Sequence, residues 1–375
     1  MVRCFVLGLV TGCIVTTRTL QAPPPPQPPP QPPPVVEPPP PQVADPSVIV
    51  GLALGENHTC TLTAGGQIRC WGYNKHGILG IGSAADPGDG IVEGIDGHVR
   101  TIAAGGYQTC AITDGGAVWC WGANHVGQVG TGQSEGAVTK PARIAVVNAR
   151  SLHLGNKTTC ALTADRKLYC WGENAQHQID DTSNRAVASP THVADFDGAE
   201  VAAVGEYHVC VAVGGRVRCR GELAPLDTQL TALTHVTALS AGWGHTCALQ
   251  GGKAYCWGKS YLGVLGAGDP CGRNGECASV LRPPAEVPGV AGATQIVTGV
   301  YHSCVRDGAG TVTCWGNNQG KAFADELPAD PYQVPHRLGI EADVVVAGGV
   351  HTCTLRAGVV KCQGNDWAGA VRGAK

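Results

Sequence analysis

A pair of cysteines returns seven times along this chain, and this repetition constrains the fold more than any other feature. The first cysteines of the first four pairs, from Cys60 to Cys210, follow one another at intervals of 50 residues. A fixed period of this length is typical of a repeat architecture such as a propeller or a solenoid. We therefore predict seven like units. The pairs are Cys60–Cys70, Cys110–Cys120, Cys160–Cys170, Cys210–Cys219, Cys247–Cys256, Cys304–Cys314 and Cys353–Cys362.

The residues between the two cysteines of a pair predict a β-hairpin. In TCAITDGGAVWCWG (109–122), two runs of β-branched and aromatic residues are separated by a glycine turn. Cysteines nine residues apart centre on a two-residue turn and those ten apart on a three-residue loop, and both are standard connections. In either case the cysteines lie opposite each other at a separation that one disulfide can bridge. The hairpins lie near 58–72, 108–122, 158–172, 208–221, 245–258, 302–316 and 351–364.

Zinc binding is the competing interpretation of the cysteine pairs. Structural zinc sites use closely spaced pairs on loops, whereas these pairs are wide and lie on strands. A histidine stands two residues before the first cysteine in five units, but Gln108 and Thr158 replace it in the other two, which a metal ligand would not tolerate. We therefore predict no metal and no cofactor, and we interpret the histidines as packed, hydrogen-bonded side chains. They are His58, His208, His245, His302 and His351.

The N-terminus, MVRCFVLGLVTGC, resembles a bacterial lipoprotein signal whose final cysteine, Cys13, carries the lipid. An ordinary signal peptide cut further along is the alternative. If Cys4 leaves with the signal and Cys13 is acylated, 16 of the 18 cysteines remain, namely the seven pairs plus Cys271 and Cys277. All can then form eight bridges, which requires an oxidising compartment.

Three segments follow from these patterns: a signal peptide at 1–12, an acylated cysteine with a proline-rich stalk at 13–40, and the repeat domain at 41–375. Proline-rich segments adopt an extended polyproline II conformation, so about 20 residues form a semi-rigid stalk of roughly 60 Å. We interpret the stalk as a spacer that holds the domain away from a membrane. A ligand for aromatic grooves is the alternative.

Alternation along each hairpin places apolar residues on both of its faces. In the second unit the cysteines share one face with Ile112 and Val118. Trp119 and Trp121 lie on the other face beside the small Ala111. Both faces must be covered, which stacked sheets achieve when a large Trp of one unit meets small residues of the next. With four short strands per unit, the predicted fold is an all-β, seven-bladed β-propeller with one disulfide in the hairpin of each blade.

The stretch GGYQTCAITDGGAVWCWGANHVGQVGTG (105–132) shows the repeat most completely. This pattern resembles the regulator of chromosome condensation repeat, and the resemblance extends from about 48 to 369. That family forms seven-bladed propellers. The resemblance implies either guanine nucleotide exchange on the GTPase Ran with chromatin binding, or protein binding like that of secreted propellers that inhibit β-lactamases.

Two units depart from the repeat. The fourth is truncated, with Arg220-Gly221 after Cys219 instead of Trp-Gly. The fifth carries the insertion GAGDPCGRNGECASVLRPP (266–284), in which Cys271 and Cys277 are predicted to close a small loop. Disulfide-braced, charged insertions on a rigid ring tend to carry function, and structural padding is the alternative. The candidate binding residues of this loop are Asp269, Arg273, Asn274, Glu276 and Arg282.

Ring closure requires an outer strand that the C-terminus is too short to supply. The segment 41–43 sits at the same offset before its cysteine as Pro141 does in the third unit. We therefore predict that the propeller begins inside the proline-rich stretch and that this segment supplies the missing strand.

The predicted function is that of a non-catalytic, membrane-anchored extracytoplasmic scaffold, a monomer that binds a protein or a cell-surface glycan through a propeller face or the 266–284 loop. With 26 Lys and Arg against 29 Asp and Glu, the chain shows no basic stripe, which argues against nucleic-acid binding. Ile14 instead of Asp after the acylated cysteine favours an outer membrane or cell surface. The alternatives are a nucleotide exchange factor and an enzyme with a site in the central channel.

Overall fold

The computed structural model describes residues 45–268, 280–328, 331–366 and 369–372. Two compact units divide the chain, Met1–Val43 and Ala44–Lys375, and every described residue lies in the second. Part of the sequence prediction falls outside these ranges. It concerns the signal peptide, Cys13, the stalk, the strand at 41–43, and the insertion residues Asp269, Cys271, Arg273, Asn274, Glu276 and Cys277.

The described residues form 26 strands in seven antiparallel sheets, and each sheet is one blade. Blades one and two contain β1 (Ile49–Leu54), β2 (His58–Thr63), β3 (Ile68–Gly72) and β4 (Gly88–Ile91), then β5 (Val99–Ala104), β6 (Gln108–Thr113), β7 (Val118–Ala123) and β8 (Ala137–Ile144). Blades three and four contain β9 (Ala149–Leu154), β10 (Thr158–Thr163), β11 (Leu168–Gly172) and β12 (Val187–His192), then β13 (Ala199–Val204), β14 (His208–Val213) and β15 (Arg216–Gly221). Blades five to seven contain β16 (Val236–Ala241), β17 (His245–Gln250), β18 (Lys253–Lys259) and β19 (Leu281–Glu286), then β20 (Ala293–Thr298), β21 (His302–Asp307), β22 (Thr311–Asn317) and β23 (Pro331–Glu341), then β24 (Val344–Ala347), β25 (His351–Arg356) and β26 (Val359–Gly364).

The predicted all-β, seven-bladed propeller is confirmed. The first strands of successive blades contact one another around a ring, and β24 contacts β1 to close it. The amide of Gly349 in blade seven donates a 3.1 Å hydrogen bond to the carbonyl oxygen of Gly55 in blade one. The ring therefore closes through blade-to-blade contacts as well as through any strand that the segment before residue 45 supplies.

The prediction of four strands in every unit is wrong for blade four, which has three. The segment after β15 is too short for a loop and a further strand, and it forms the 3-10 helices Ala224–Leu226 and Leu230–Ala232 instead. Their leucines, including Leu226 and Leu230, are buried in the core that this blade shares with blade five. Among the described residues blade seven also has three strands. Two further 3-10 helices lie at Ala194–Phe196 and Gln319–Lys321.

The predicted disulfide is present in the hairpin of every blade. In all seven the cysteines pair directly across the two strands, with Cα atoms 4.1 Å apart. The two-residue turn Gly214–Gly215 has both φ angles positive, 57° and 73°, which glycine adopts without strain. Both turn lengths therefore keep the cysteines in register, as the spacing required.

Tryptophans fill the interfaces between blades in a different way from that predicted. Trp121 and Ala111 share one face of blade two, and both pack on the disulfide Cys60–Cys70 and the aliphatic side chains of blade one, such as Leu62. The predicted meeting of Trp with small residues of the next unit is therefore wrong. The flat indole covers the wide aliphatic face around the disulfide, and the small alanine leaves room beside it on its own sheet.

In four of the five blades with a Trp directly after the second cysteine, this Trp also donates a hydrogen bond to a backbone carbonyl oxygen beyond its own blade. The Trp121 indole donates a 3.0 Å hydrogen bond to the carbonyl oxygen of Ile78. A Cβ atom at Gly80 would lie 2.6 Å from the Trp121 Nε1 atom, so glycine is required there. Trp257 is the exception, because its buried Nε1 atom has no hydrogen-bond partner. The truncated blade four precedes it and lacks the loop that supplies the acceptor elsewhere.

Histidines join neighbouring blades close to the axis. The Nε2 atom of His58 lies 2.8 Å from the hydroxyl oxygen of Thr109 in the next blade, a contact that we call a histidine link. The side chains are fully buried, which confirms their interpretation as packed and hydrogen-bonded. The other four links are His208–Thr246 (2.8 Å), His245–Ser303 (3.0 Å), His302–Thr352 (2.8 Å) and His351–Thr59 (3.1 Å).

Two junctions carry no histidine link. Between blades two and three, the Gln108 side chain replaces it by donating a 3.1 Å hydrogen bond to the Gly155 carbonyl oxygen. Between blades three and four there is no replacement, because the Thr158 hydroxyl donates instead to the carbonyl oxygen of Glu173 in its own blade.

Candidate binding site

The antiparallel order of each sheet brings two sets of loops to one side of the ring. Strands are neighbours in chain order, so the loop after the first strand and the loop after the third leave from the same edge. In blade one these are residues 55–57 and 73–87. We call this side of the ring the mouth face. The fifth-blade insertion, 266–284, begins in the loop after β18, the third strand of its blade, and its last four residues, 281–284, lie on β19.

The first strands end around a small cavity on the axis, which has a volume of about 90 Å³. Each blade contributes a glycine at the same repeat position, because the backbones approach one another too closely for a side chain. A Cβ atom at Gly155 would lie 2.0 Å from the carbonyl oxygen of Gly205. The seven glycines are Gly55, Gly105, Gly155, Gly205, Gly242, Gly299 and Gly348.

The residue after this glycine varies between blades and gives the cavity its chemistry. Two carboxylates, an amide and an indole line it, whereas no lysine or arginine does so among the described residues. Glu206 is only 7% exposed, and the Oδ1 atom of Asn156 is buried without a hydrogen-bond partner. The seven residues at this position are Glu56, Gly106, Asn156, Glu206, Trp243, Val300 and Gly349.

Burial perturbs the ionisable groups of the mouth. It raises the pKa of the Glu56 carboxyl; a hydrogen bond from Tyr107 opposes the rise and the charge of Glu206 adds to it. Burial also raises the pKa of Tyr107, where the charge of Glu56 adds to the rise. The pKa of Tyr207 rises to about 12, first through burial and then through its hydrogen bond to Glu206. Each glutamate is therefore held by a tyrosine hydroxyl.

Aromatic rings surround the mouth on two sides. On one side Trp243 stands edge-on to Tyr261 with ring centroids 5.5 Å apart, and Tyr261 stands edge-on to Tyr301, also at 5.5 Å. On the other side Tyr73 lies edge-on to Tyr107 at 6.1 Å. Such edge-to-face pairs stabilise one another beyond their burial, so the rings form a preorganised wall.

The nearest cation beside this wall already has partners. The Lys259 Nζ atom lies 2.6 Å from a carboxylate oxygen of Glu222 and 4.7 Å from the centre of the Trp243 ring. Its side chain is only 15% exposed. Lys259 therefore fixes Trp243 and does not neutralise the carboxylates that line the cavity.

Of the five predicted insertion residues, only Arg282 is described, and it lies on β19 opposite Gly258. The structure does not bring it into the axial cavity. The sequence analysis missed the mouth residues Glu56, Glu206 and Trp243. The signal was present: they occupy the first of the two variable positions between the glycine and the histidine position of each repeat.

The described residues contain no group of three or more His, Cys, Asp or Glu that could hold a metal ion. Across the same ranges, no helix has the length and apolar character needed to cross a bilayer. Seven disulfides indicate an oxidising, extracytoplasmic environment.

Family models match the repeats directly. Residues 49–78, 99–128, 151–178 and 293–320 match a model described as the regulator of chromosome condensation (RCC1) repeat, and residues 115–162 match a second model with that description. The chain carries RCC1 repeats. The sequence resemblance is thereby confirmed. Propellers of this family generally bind or regulate other molecules. Among curated proteins the chain has no match.

Several solved structures share the fold. Prp20p from Saccharomyces cerevisiae superposes with a TM-score of 0.66 at 18% identity, over 80% of each chain. Human WBSCR16 has a TM-score of 0.52 at 19% identity, over 84% of this chain and 72% of its own. The ectodomain of the Physcomitrella patens receptor kinase CR4 has a TM-score of 0.51 at 18% identity, over 85% and 74%. At these identities the likeness establishes the fold alone.

Proposed function

We propose that this chain is a non-catalytic scaffold, held at a membrane by lipid on Cys13 and a proline-rich stalk, which binds a protein partner through the mouth face. The observation that carries the proposal is the set of tyrosines and Trp243 around two carboxylates, of which Glu206 is buried and Glu56 is half-buried. Tyrosine and tryptophan are enriched among the residues that dominate binding energy at protein interfaces. A rigid ring presents them at little entropic cost.

The alternatives have less support. Prp20p was described with its binding to Gsp1p and histones, but the seven disulfides of this chain indicate an oxidising, extracytoplasmic environment. Its net charge of −3 and its acidic mouth do not suit chromatin DNA. Paired carboxylates serve glycoside hydrolysis, yet a cavity of about 90 Å³ is small beside typical ligand pockets of roughly 300–1,000 Å³. A glycan that lies across the aromatic wall is the second candidate ligand.

Affinity capture from an envelope extract of the source cells, followed by cross-linking, tests the proposal. The bait is the full chain, compared with a Tyr207→Ala/Trp243→Ala variant and with Tyr169→Ala as the matched control. Tyr169 packs on His192 at the outer strand, away from the mouth. We expect the mouth variant to capture at least tenfold less partner than the wild type, and the control to capture the same amount.

A variant that lacks residues 269–279 distinguishes binding by the mouth from binding by the insertion. Capture that survives the mouth substitutions but fails after the deletion assigns binding to the insertion and contradicts the proposed surface. If a glycosidase releases the captured material and a protease does not, the ligand is a glycan and the proposed protein partner is wrong.

A further inference from the structure

The mouth of the axial cavity is lined by hydrogen-bond acceptors that lack a cation. Glu56 and Glu206 each present a carboxylate, and the Asn156 Oδ1 atom is buried without a partner. The charge of Glu206 acts on the Glu56 carboxyl and raises its pKa. No described lysine or arginine lines the cavity, and Lys259 is committed to Glu222.

The second observation is the ring of Trp243, which lines the same cavity beside Val300. An indole face attracts a cation within about 6 Å of its centre, and Lys259 already uses this attraction from one side, at 4.7 Å. An apolar surface that ends in acceptors suits a ligand with an aliphatic stem and a charged head.

We propose that the cavity binds a single primary ammonium group, as the side chain of a lysine on the partner presents it. Such a group has three N–H donors and no acceptor, which suits a cavity lined by the carboxylates of Glu56 and Glu206. The stem would lie against Trp243 and Val300. This inference rests on the proposed function, since it names the chemistry by which the mouth face recognises its partner.

Other ligand classes fit less well. A divalent cation such as Ca²⁺ takes six to eight oxygen ligands, and the described residues contain no cluster of three metal-binding side chains. An anion would meet two carboxylates. A guanidinium is planar with five donors in a fixed fork, whereas a compact ammonium better fills about 90 Å³.

Calorimetric titration of the full chain tests the proposal, with Nα-acetyl-lysine methylamide and n-butylammonium as probes. We expect saturable binding of both in the millimolar range, at least tenfold weaker binding of n-butylguanidinium, and none of n-butanol or of the Nε-acetylated lysine probe. The double variant Glu56→Gln/Glu206→Gln should bind the ammonium probes at least tenfold more weakly. Glu93→Gln removes one exposed carboxylate from the loop between β4 and β5, on the side of the ring opposite the mouth face, and should change nothing.

The outcomes separate this inference from the proposed function. Equal binding in the wild type and in the double glutamine variant, or equal binding of n-butanol, overturns the ammonium site. If the ammonium probes do not bind but Tyr207→Ala/Trp243→Ala still abolishes capture, the mouth is the interface and recognises its partner through a group other than an ammonium. Displacement of the captured partner by the lysine probe assigns the ammonium to the partner, whereas binding without displacement assigns it to a free small amine.

Discussion

The junction between blades one and two and the junction between blades three and four occupy equivalent places but are built differently. The first has a histidine link from His58, a 3.2 Å bond from the Glu56 amide to the Gly106 carbonyl oxygen, and the Trp121 indole bond. The second has no histidine link, and within the described part of the chain the Asn156 amide has no backbone partner in blade four. At the mouth end this junction is held by packing, and at the other end of the first strands the Arg150 guanidinium donates a hydrogen bond to the Glu200 carbonyl oxygen.

Ionic contacts further from the axis hold this second junction. Arg220 replaces Trp, donates a 3.0 Å hydrogen bond to the Ile179 carbonyl oxygen and pairs with Asp181 and Asp195. The comparison shows that the ring is uniform in packing but uneven in polar contacts. The junction between blades three and four, which we call the seam, lies beside Asn156, a residue of the candidate site whose Oδ1 atom is unpartnered.

Acidification should break the histidine junctions first and most strongly. Burial lowers the pKa of four linked histidines to about 3 and that of His351 to about 4. The unfolded chain takes up protons below about 6.5 while the folded chain does not, so stability is lost as the pH falls from 6.5 towards 3. Protonation of each of these histidines in the unfolded chain can lower the free energy of unfolding by on the order of 4 kcal/mol. Five such losses together exceed the usual total free energy of unfolding, which is about 5–15 kcal/mol. Far-UV circular dichroism should record unfolding above pH 3.

The control for this prediction is His208→Gln, which copies Gln108. This variant should take up one proton fewer on unfolding between pH 6.5 and 3, and its stability should depend less steeply on pH. Hydrogen exchange at pH 5 should rise between blades four and seven before it rises between blades two and three. A wild-type stability that is flat between pH 7 and pH 4 would exclude the histidine links as the acid-sensitive element.

Arg220→Ala should open the seam between blades three and four. The arginine side chain is 17% exposed, and its loss removes two ion pairs and leaves the Ile179 carbonyl oxygen without this donor. We expect a loss of about 1–2 kcal/mol in the free energy of unfolding, measured in urea. Arg69→Ala removes an ion pair whose partners are both more than 40% exposed and should lose only about 0.5 kcal/mol or less. Equal losses would show that Arg220 is an ordinary surface residue.

The sequence predicted the features that recur and missed those that differ between units. The cysteine register, the number of blades and the buried histidines follow from spacing, because every hairpin must solve the same pairing problem. The mouth depends on Glu56 and Glu206, which lie in blades one and four and meet only when the ring closes. The direction in which Trp121 packs was also inaccessible, since alternation assigns a face but not the neighbour that covers it.

Trp171→Phe and Trp257→Phe should separate the packing of the indole from its hydrogen bond. Trp171 donates a 3.0 Å bond to the Gln128 carbonyl oxygen, whereas the Trp257 Nε1 atom has no partner. Both substitutions remove the same ring volume from a fully buried position. We therefore expect Trp171→Phe to destabilise the fold by about 1 kcal/mol more than Trp257→Phe in thermal unfolding. A larger effect at Trp257 would show that blade four supplies an acceptor after all.

A histidine link installed at the seam should stabilise it by about 0.5–1 kcal/mol. Thr158 occupies the histidine position of blade three, and Val209 occupies the hydroxyl position of blade four, so Thr158→His/Val209→Thr supplies both partners. Each single substitution buries a polar group without its partner and should destabilise the fold, which makes the double-mutant cycle the decisive measurement. The gain should vanish as the pH falls below 6.5, since the new imidazole must stay neutral like the other five. A coupling energy near zero would mean that the two backbones stand too far apart at this junction, and the seam would then lie in the spacing of the blades.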